Sequence, residues 1–577
     1  MSRIPRLLSL TLIAACLSTG AWAAAAKAEG PENSSLDGEL FYQLLVSEMT
    51  AQAGDRGSAY ALMLDAARKA NSARLYERAV EIALNARSGE SALEAAQAWA
   101  RAFPSSREAN RIQLQILLGL NRIAETQEPI KRELAGLTAT ERVAAIHLLP
   151  RYFVRVTDKK LASSVVEKAL ATETGNRTTG AAAWAAIGTM RLHAEDGDGA
   201  LEAARHGVAM DAGAEEPVLL AIALIDPKRP TAEVMVQRFL TSKPTTEVRM
   251  AYARHLINNQ RYADAYTQMR LTTEEQPQFP EAWLMRGSLE LQDANLALAE
   301  SSLKTYVKLT PESTDASNAG MSRGLVQAYL LLSQVAEQGQ QLDEAKAYLD
   351  KIHSPVDALR VERRRAAILA QQGQLEQARA ALRNVPELQA TDALAKINAE
   401  VQLLRENRQY APAYELLQDA TVRYPEDIDL MYDLAMMAER LGKTDEMEQL
   451  LRKVMAAKPD YHHAYNALGY SLADRNIRLK EARELIKQAL VHSPDDPFIV
   501  DSLAWVEFRA GNSAEALRLL QSAFKARPDA EIAAHLGEVL WSIGQREEAG
   551  TIWNEGVKLN PQNETLRDTM QRLRGKP

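Results

Sequence analysis

Between Tyr461 and Pro561, large apolar, small and proline positions return three times in the same order. The first pass carries Leu468-Gly469, Ala482, Ile486, Ala489 and Pro494. The second carries Leu503-Ala504, Ala516, Leu520, Ala523 and Pro528, and the third Leu536-Gly537, Ala549, Trp553, Gly556 and Pro561. The prolines stand 34 and then 33 residues apart. A unit of that length holds two helices of about a dozen residues each and two tight turns. Small residues such as Gly469 and Ala482 mark the closest approach of the two helices, because a larger side chain would drive the axes apart. Large ones such as Leu468, Ile486 and Leu520 fill the space against the neighbouring hairpin. The closing proline cannot supply the N–H that a continuing helix needs, and it pushes its predecessor out of the α region. No single hairpin can bury its apolar face, so the units must stack.

This period and order of positions are those of the tetratricopeptide repeat. The expected fold is all-α, a right-handed superhelical tetratricopeptide-repeat solenoid. The residues opening each second helix are Ala265, Ala299, Ala345, Ala378, Ala413, Met447, Ala482, Ala516 and Ala549, at intervals of 34, 46, 33, 35, 34, 35, 34 and 33. The interval of 46 contains the polar segment Thr310 to Ser322, read as a flexible joint, with a binding loop as the alternative. Thr565 to Leu573 reads as a charged helix capping the array. Upstream the beat is looser. Leu40, Leu44, Leu45 and Met49 share one face of a first helix, Trp99 precedes Phe103-Pro104, and a clearer copy returns at Trp184, Gly188, Ala200 and Ala204. Ile225 to Pro230, with two prolines in four residues, is the strongest internal break. Divergent helical repeats are therefore expected over 39–230 and a regular array over 245–577.

The first residues read as a targeting segment. Arg3 and Arg6 precede the apolar run Leu7 to Leu17, and Ala21 and Ala23 favour cleavage after Ala23, as in a secretory signal peptide over 1–23. The run is too short for a permanent membrane span. Residues 24–38 read as a flexible leader. Cys16, the one cysteine of the chain, ends the stretch Ile13-Ala14-Ala15-Cys16, which resembles a bacterial lipobox; there the cysteine would be lipidated and become the mature N terminus. The alternative is a small apolar residue inside an ordinary signal sequence. Both readings place the protein in the periplasm, soluble or tethered to the outer membrane.

Composition sharpens this only in places. The 577 residues exceed one compact core, a limit that does not bind a solenoid. Aromatic residues are 6% of the chain, which suits close packing of Ala- and Leu-rich helices. A net charge of −8 gives nucleic-acid binding little electrostatic support. The nine histidines are scattered, and adjacent His462 and His463 would point about 100° apart on a helix, so they cannot share a metal. Gly442-Lys443-Thr444 imitates the end of a phosphate loop, but Met437 stands where the first glycine should be. No nucleophile or metalloprotease motif is present. The reading is of a non-enzyme without cofactor or metal.

What remains is surface. In such arrays, residues one and four positions after the glycine-type position face the groove. These are Met436 and Glu439, Tyr470 and Ala473, Trp505 and Phe508, and Glu538 and Trp541, with Asp501 and Arg509 flanking the third pair. Met436, Tyr470, Asp501, Trp505, Phe508, Arg509, Glu538 and Trp541 are thus the candidate partner-binding residues. Their aromatics suit anchoring of an extended or helical peptide; the alternative is that Trp505 and Phe508 pack between hairpins as core.

Ala467 to Asp474, Asp501 to Val506 and Ala533 to Trp541 resemble a proteobacterial family of exported tetratricopeptide proteins, as do Leu40 to Gly54 and Ala95 to Pro104. One branch consists of outer-membrane lipoproteins that act as adaptors for a periplasmic carboxyl-terminal processing protease and deliver cell-wall hydrolases to it. The resemblance implies a scaffold for protein partners of that kind. A role in assembling an envelope secretion or polysaccharide export machine is the alternative.

Overall fold

The computed structural model describes residues 37–310 and 319–575. The signal segment, Cys16 and the leader up to residue 36 lie outside the described residues, as do residues 311–318 of the polar segment; its last part, 319–322, is already helix. The described residues form 31 α-helices and no strand. Contacts divide the chain into two compact units, one ending at Gln276 and the other beginning at Pro277.

In the first unit, helices pack with their chain neighbours around Trp99, Leu117, Phe153, Ile187 and Met190, all buried. The prolines of 225–230 do not separate bodies. Pro230 is the first residue of the helix Pro230–Ser242, where its missing N–H has no intrahelical partner to lose. Leu220 and Leu224 before the turn pack with Ala232 after it. The unit boundary instead falls at Gln276–Pro277, within the span where the sequence suggested one continuous array.

In the second unit the repeat spacing is repeat geometry. Pro494, Pro528 and Pro561 each lie two residues beyond a helix end, after Leu479–His492, Ser513–Ala526 and Arg546–Leu559. A Cβ added at Gly469 would lie 2.5 Å from Ile486 Cγ1, and one at Gly537 2.1 Å from Trp553 Nε1. The small position is the line along which two helices touch. Trp553, fully buried, fills the space that Gly537 leaves. The final helix, Glu564–Arg574, covers the open end by burying Leu566 and presents mostly charged residues outwards.

A second periodicity lies in the backbone. Gln260, Ala294, Gln340, Gly373, Arg408, Gly442, Asn476, Gly511 and Gly544 all have φ between +54° and +89°. Each follows the first helix of a hairpin. The left-handed residue lets the next N–H fold back on the helix: Lys443 donates to the Ala438 carbonyl at 2.8 Å, Asn512 to Glu507 at 2.8 Å and Gln545 to Leu540 at 2.9 Å. Only some of these positions are glycine, so several repeats carry conformational strain in this turn. Replacing Ala294 by Gly should raise stability by up to about 1 kcal/mol. Gly537→Ala should lower it by about 1–3 kcal/mol, since Trp553 has nowhere to move. Thermal and urea unfolding of the two variants check both signs.

Candidate partner-binding groove

The first helices of successive hairpins in the second unit include Ala319–Gln338, Ala358–Gln371, Asp392–Glu406 and Ile428–Arg440. Two cavities run along these four. One, of about 360 Å³, is lined by Gln327, Leu331, Gln334, Arg360, Arg363 and Arg364. The other, of about 750 Å³, is walled by Arg405, Tyr432, Asp433, Met436, Glu439 and Arg440. Gln402 and Glu406 line both, which joins them into one trough. The spacing 327, 331, 334 on one helix and 360, 363/364, 367 on the next is helical, so each helix presents one face to the trough. At its far edge, Glu564 of the final helix pairs with Arg408 at 2.9 Å and Arg440 at 3.8 Å. These exposed pairs contribute little energy, but they place the end of the array beside the trough.

Of the candidate residues, Met436 alone lines this trough. The others gather further along, on His462–Asp474, Pro497–Arg509 and Ala530–Ser542, around a residue that motif analysis passed over. His535 is 2% exposed. Its Nδ1 lies 3.0 and 2.9 Å from the two carboxylate oxygens of Asp501, and its Nε2 lies 3.2 Å from the Tyr470 hydroxyl. Trp505 stacks on the imidazole with ring centroids 4.4 Å apart and planes 23° from parallel. Phe508 packs against Trp505. Arg509 donates to the carbonyls of Ala473 and Asp474, satisfying the C-terminal end of the preceding first helix. Glu538 accepts from Arg572 of the final helix at 2.5 Å. Trp541 lies half-buried against Trp553, under the Arg546 guanidinium.

The expectation that Trp505, Asp501 and Glu538 stand open to a groove is corrected on exposure, at 4%, 4% and 6%. The physical reason is His535. A buried imidazole needs partners for both nitrogens, and they come from the two preceding hairpins, so three first helices are drawn together and their aromatic side chains become wall-to-wall packing. Only side chains two hairpins apart in contact, such as Tyr470 and His535, reveal this. The sequence signal was present but weak: an acid, an aromatic and a histidine at neighbouring phases of consecutive first helices.

The electrostatics follow from burial. Removal from water opposes a charge on His535, but Asp501 against its ring, with Glu531 and Glu538 nearby, outweighs this and raises its pKa. Burial raises Glu531 and Glu439 above the usual carboxylate range. Burial and then the carboxylates of Glu531, Asp474 and Asp501 raise the Tyr470 phenol. Among the described residues, no group of three or more His, Cys, Asp or Glu side chains could hold a metal ion, and no helix is long and apolar enough to cross a membrane.

The tetratricopeptide repeat family matches residues 250–314, 398–462 and 502–564, and a further tetratricopeptide repeat match covers 326–352. The matched segments are thus tetratricopeptide repeats, and the described residues form an all-α fold of solenoid class. The TPR repeat-containing protein PA4667 of Pseudomonas aeruginosa is 34% identical over 248 residues, 43% of this chain and 42% of that protein. The human protein O-mannosyl-transferase TMTC1 is 23% identical over 172 residues, 28% of this chain and 19% of that protein. The chain therefore spans less than half the length of either relative. Among solved structures, the Cut9–Hcn1 hetero-tetramer of the APC/C covers 92% of this chain and 99% of its own at 13% identity and a TM-score of 0.32. The thermophilic TPR protein TTC0263 of Thermus thermophilus covers 30% and 94% at 22% identity and a TM-score of 0.28.

A histidine whose folded pKa is raised contributes stability that is complete below its unfolded value and is lost as pH rises through the folded one. His535→Gln should therefore cost about 3 kcal/mol near pH 6. That deficit should shrink as pH climbs from about 6.5, because the wild type loses the charged pair while the variant never had it. Melting curves of the two proteins across that range check the sign. Trp505→Ala should lose about 3–5 kcal/mol of stability at any pH, as a buried aromatic does.

Proposed function

We propose that the protein is a non-enzymatic interaction scaffold of the periplasm whose trough binds partner proteins, as an adaptor bringing substrates to a carboxyl-terminal processing protease. Tetratricopeptide repeats indicate protein partners. The observation that carries the reading here is the trough over 327–440. Its floor offers Leu330, Leu331 and Ala367, and its rim offers long polar side chains. That is the mixture of apolar contact and orienting hydrogen bonds that an extended chain requires. The finer part, a protease and its cell-wall hydrolase substrates, is supported by the resemblance of 40–54, 95–104, 467–474, 501–506 and 533–541 to exported adaptors. Tethering through Cys16 belongs to the same reading.

The test is a pull-down from envelope extract with the mature chain from Ala24 as bait, followed by mixing the purified protein with the recovered protease. The expected outcome is recovery of a processing protease together with cell-wall hydrolases, no hydrolysis by the scaffold alone, and faster cleavage of hydrolases when both are present. Recovery of secretion or export components without a protease would overturn the adaptor reading in favour of an assembly factor. Turnover of a substrate by the isolated protein would overturn the scaffold reading itself.

A further inference from the structure

The arginines of the trough are not equivalent. Arg364 is paired with Glu337 at 2.7 Å, and Arg405 lies 3.6 Å from Asp433. Arg360 and Arg363 are exposed and are held by neutral side chains instead: Arg360 donates to Gln327 at 2.7 Å and Arg363 to Gln402 at 2.7 Å. Among the described residues, neither has a carboxylate as ion-pair partner. The one carboxylate on this wall, Glu406, already accepts from the Gln402 amide at 2.8 Å. A protein with net charge −8 thus keeps two guanidinium groups uncompensated, side by side on one helix face, with each planar fork steadied by a glutamine from the hairpin before or after.

We infer that this wall recognises an extended acidic segment of a partner protein, with carboxylate side chains at alternate positions. The inference rests on the trough being the partner-binding surface. Residues three apart on a helix have Cβ atoms about 5–6 Å apart. Alternate residues of an extended chain are about 6.6 Å apart on the same side. Two carboxylates of the partner spaced i, i+2 therefore match Arg360 and Arg363, each able to take a bidentate pair. The intervening side chains turn away, and the next apolar one meets Leu330, Leu331 and Ala367 on the floor. Because the glutamines hold the guanidinium groups in place before binding, little side-chain freedom remains to be lost.

The experiment is fluorescence polarisation with the mature protein and labelled peptides of about twelve residues. One repeats Glu-Ala-Glu-Ala-Leu-Ala, which puts two Glu and the next Leu on one side of an extended chain, and is amidated at its C terminus; a second has Gln for every Glu; a third is the Gln peptide with a free terminal carboxylate. The Glu peptide should bind at least about ten-fold more tightly than either Gln peptide and weaken as salt rises. The double variant Arg360→Gln/Arg363→Gln should lose about ten-fold for the Glu peptide alone, while Arg518→Gln, an exposed arginine paired with Glu515 outside the trough, should bind as the wild type does. Circular dichroism of the variants confirms the fold. Equal affinity for Glu and Gln peptides, no binding, unchanged binding by the double variant, preference for the free terminal carboxylate, or stronger binding of a single-stranded oligonucleotide would each overturn the inference. If the double variant still captures in envelope extract the partners the wild type captures, the acidic segment is refuted and the scaffold stands; a wild type that captures none refutes the scaffold.

Discussion

Two helices can make their closest approach only where one offers almost no side chain. Gly469 against Ile486 and Gly537 against Trp553 are that contact here, and everything larger follows from it. The small residue sets the interhelical distance, the distance sets where the large residue of the facing helix can sit, and the large residue closes the gap to the next hairpin. Since each hairpin finishes its burial only on its neighbour, the array is held by a succession of local contacts rather than by one core. The left-handed residue at each hairpin turn belongs to the same constraint. It brings the chain round in the fewest residues and ties the end of the first helix with a folded-back N–H.

A local rule of this kind leaves the exposed face of each first helix free to vary, and the second unit uses that freedom in two opposite ways. Towards its C-terminal end the faces close on one another: His535 takes Asp501 from one hairpin and Tyr470 from the hairpin before it, and Trp505 seals the imidazole. Buried polar groups in such a set have fixed partners, so they hold the three hairpins in one arrangement. Between 327 and 440 the faces stay apart, with polar and charged side chains standing over a small apolar floor. One stretch is closed, with its histidine, carboxylate and phenol paired with one another; the other stays open, with two guanidinium groups held by glutamines and without a carboxylate partner among the described residues.

The two stretches are joined by the end of the chain. The final helix pairs Arg572 with buried Glu538 on the closed side and Glu564 with Arg408 and Arg440 beside the trough. A helix that buries Leu566 against the array thereby lies beside the open stretch as well.

Much of the fold was legible in the chain. The alternation of small, large and proline positions prescribes helical hairpins with a period near 34, because those residue types act within one or two turns of their own backbone. The final helix, the proline-marked hairpin ends and the close helix contacts lie where the pattern put them. The left-handed turn position was less legible, since Gln, Ala, Arg and Asn share it with Gly. The candidate site was legible only in part. Met436 faces the trough, but Trp505, Asp501 and Glu538 are buried, and the arginine wall escaped notice because Arg360 and Arg363 differ from other arginines only through the glutamines that reach them. Periodicity assigns a residue to a face of its helix. Whether that face is open or covered depends on side chains from one and two hairpins away, and only the tertiary structure decides that.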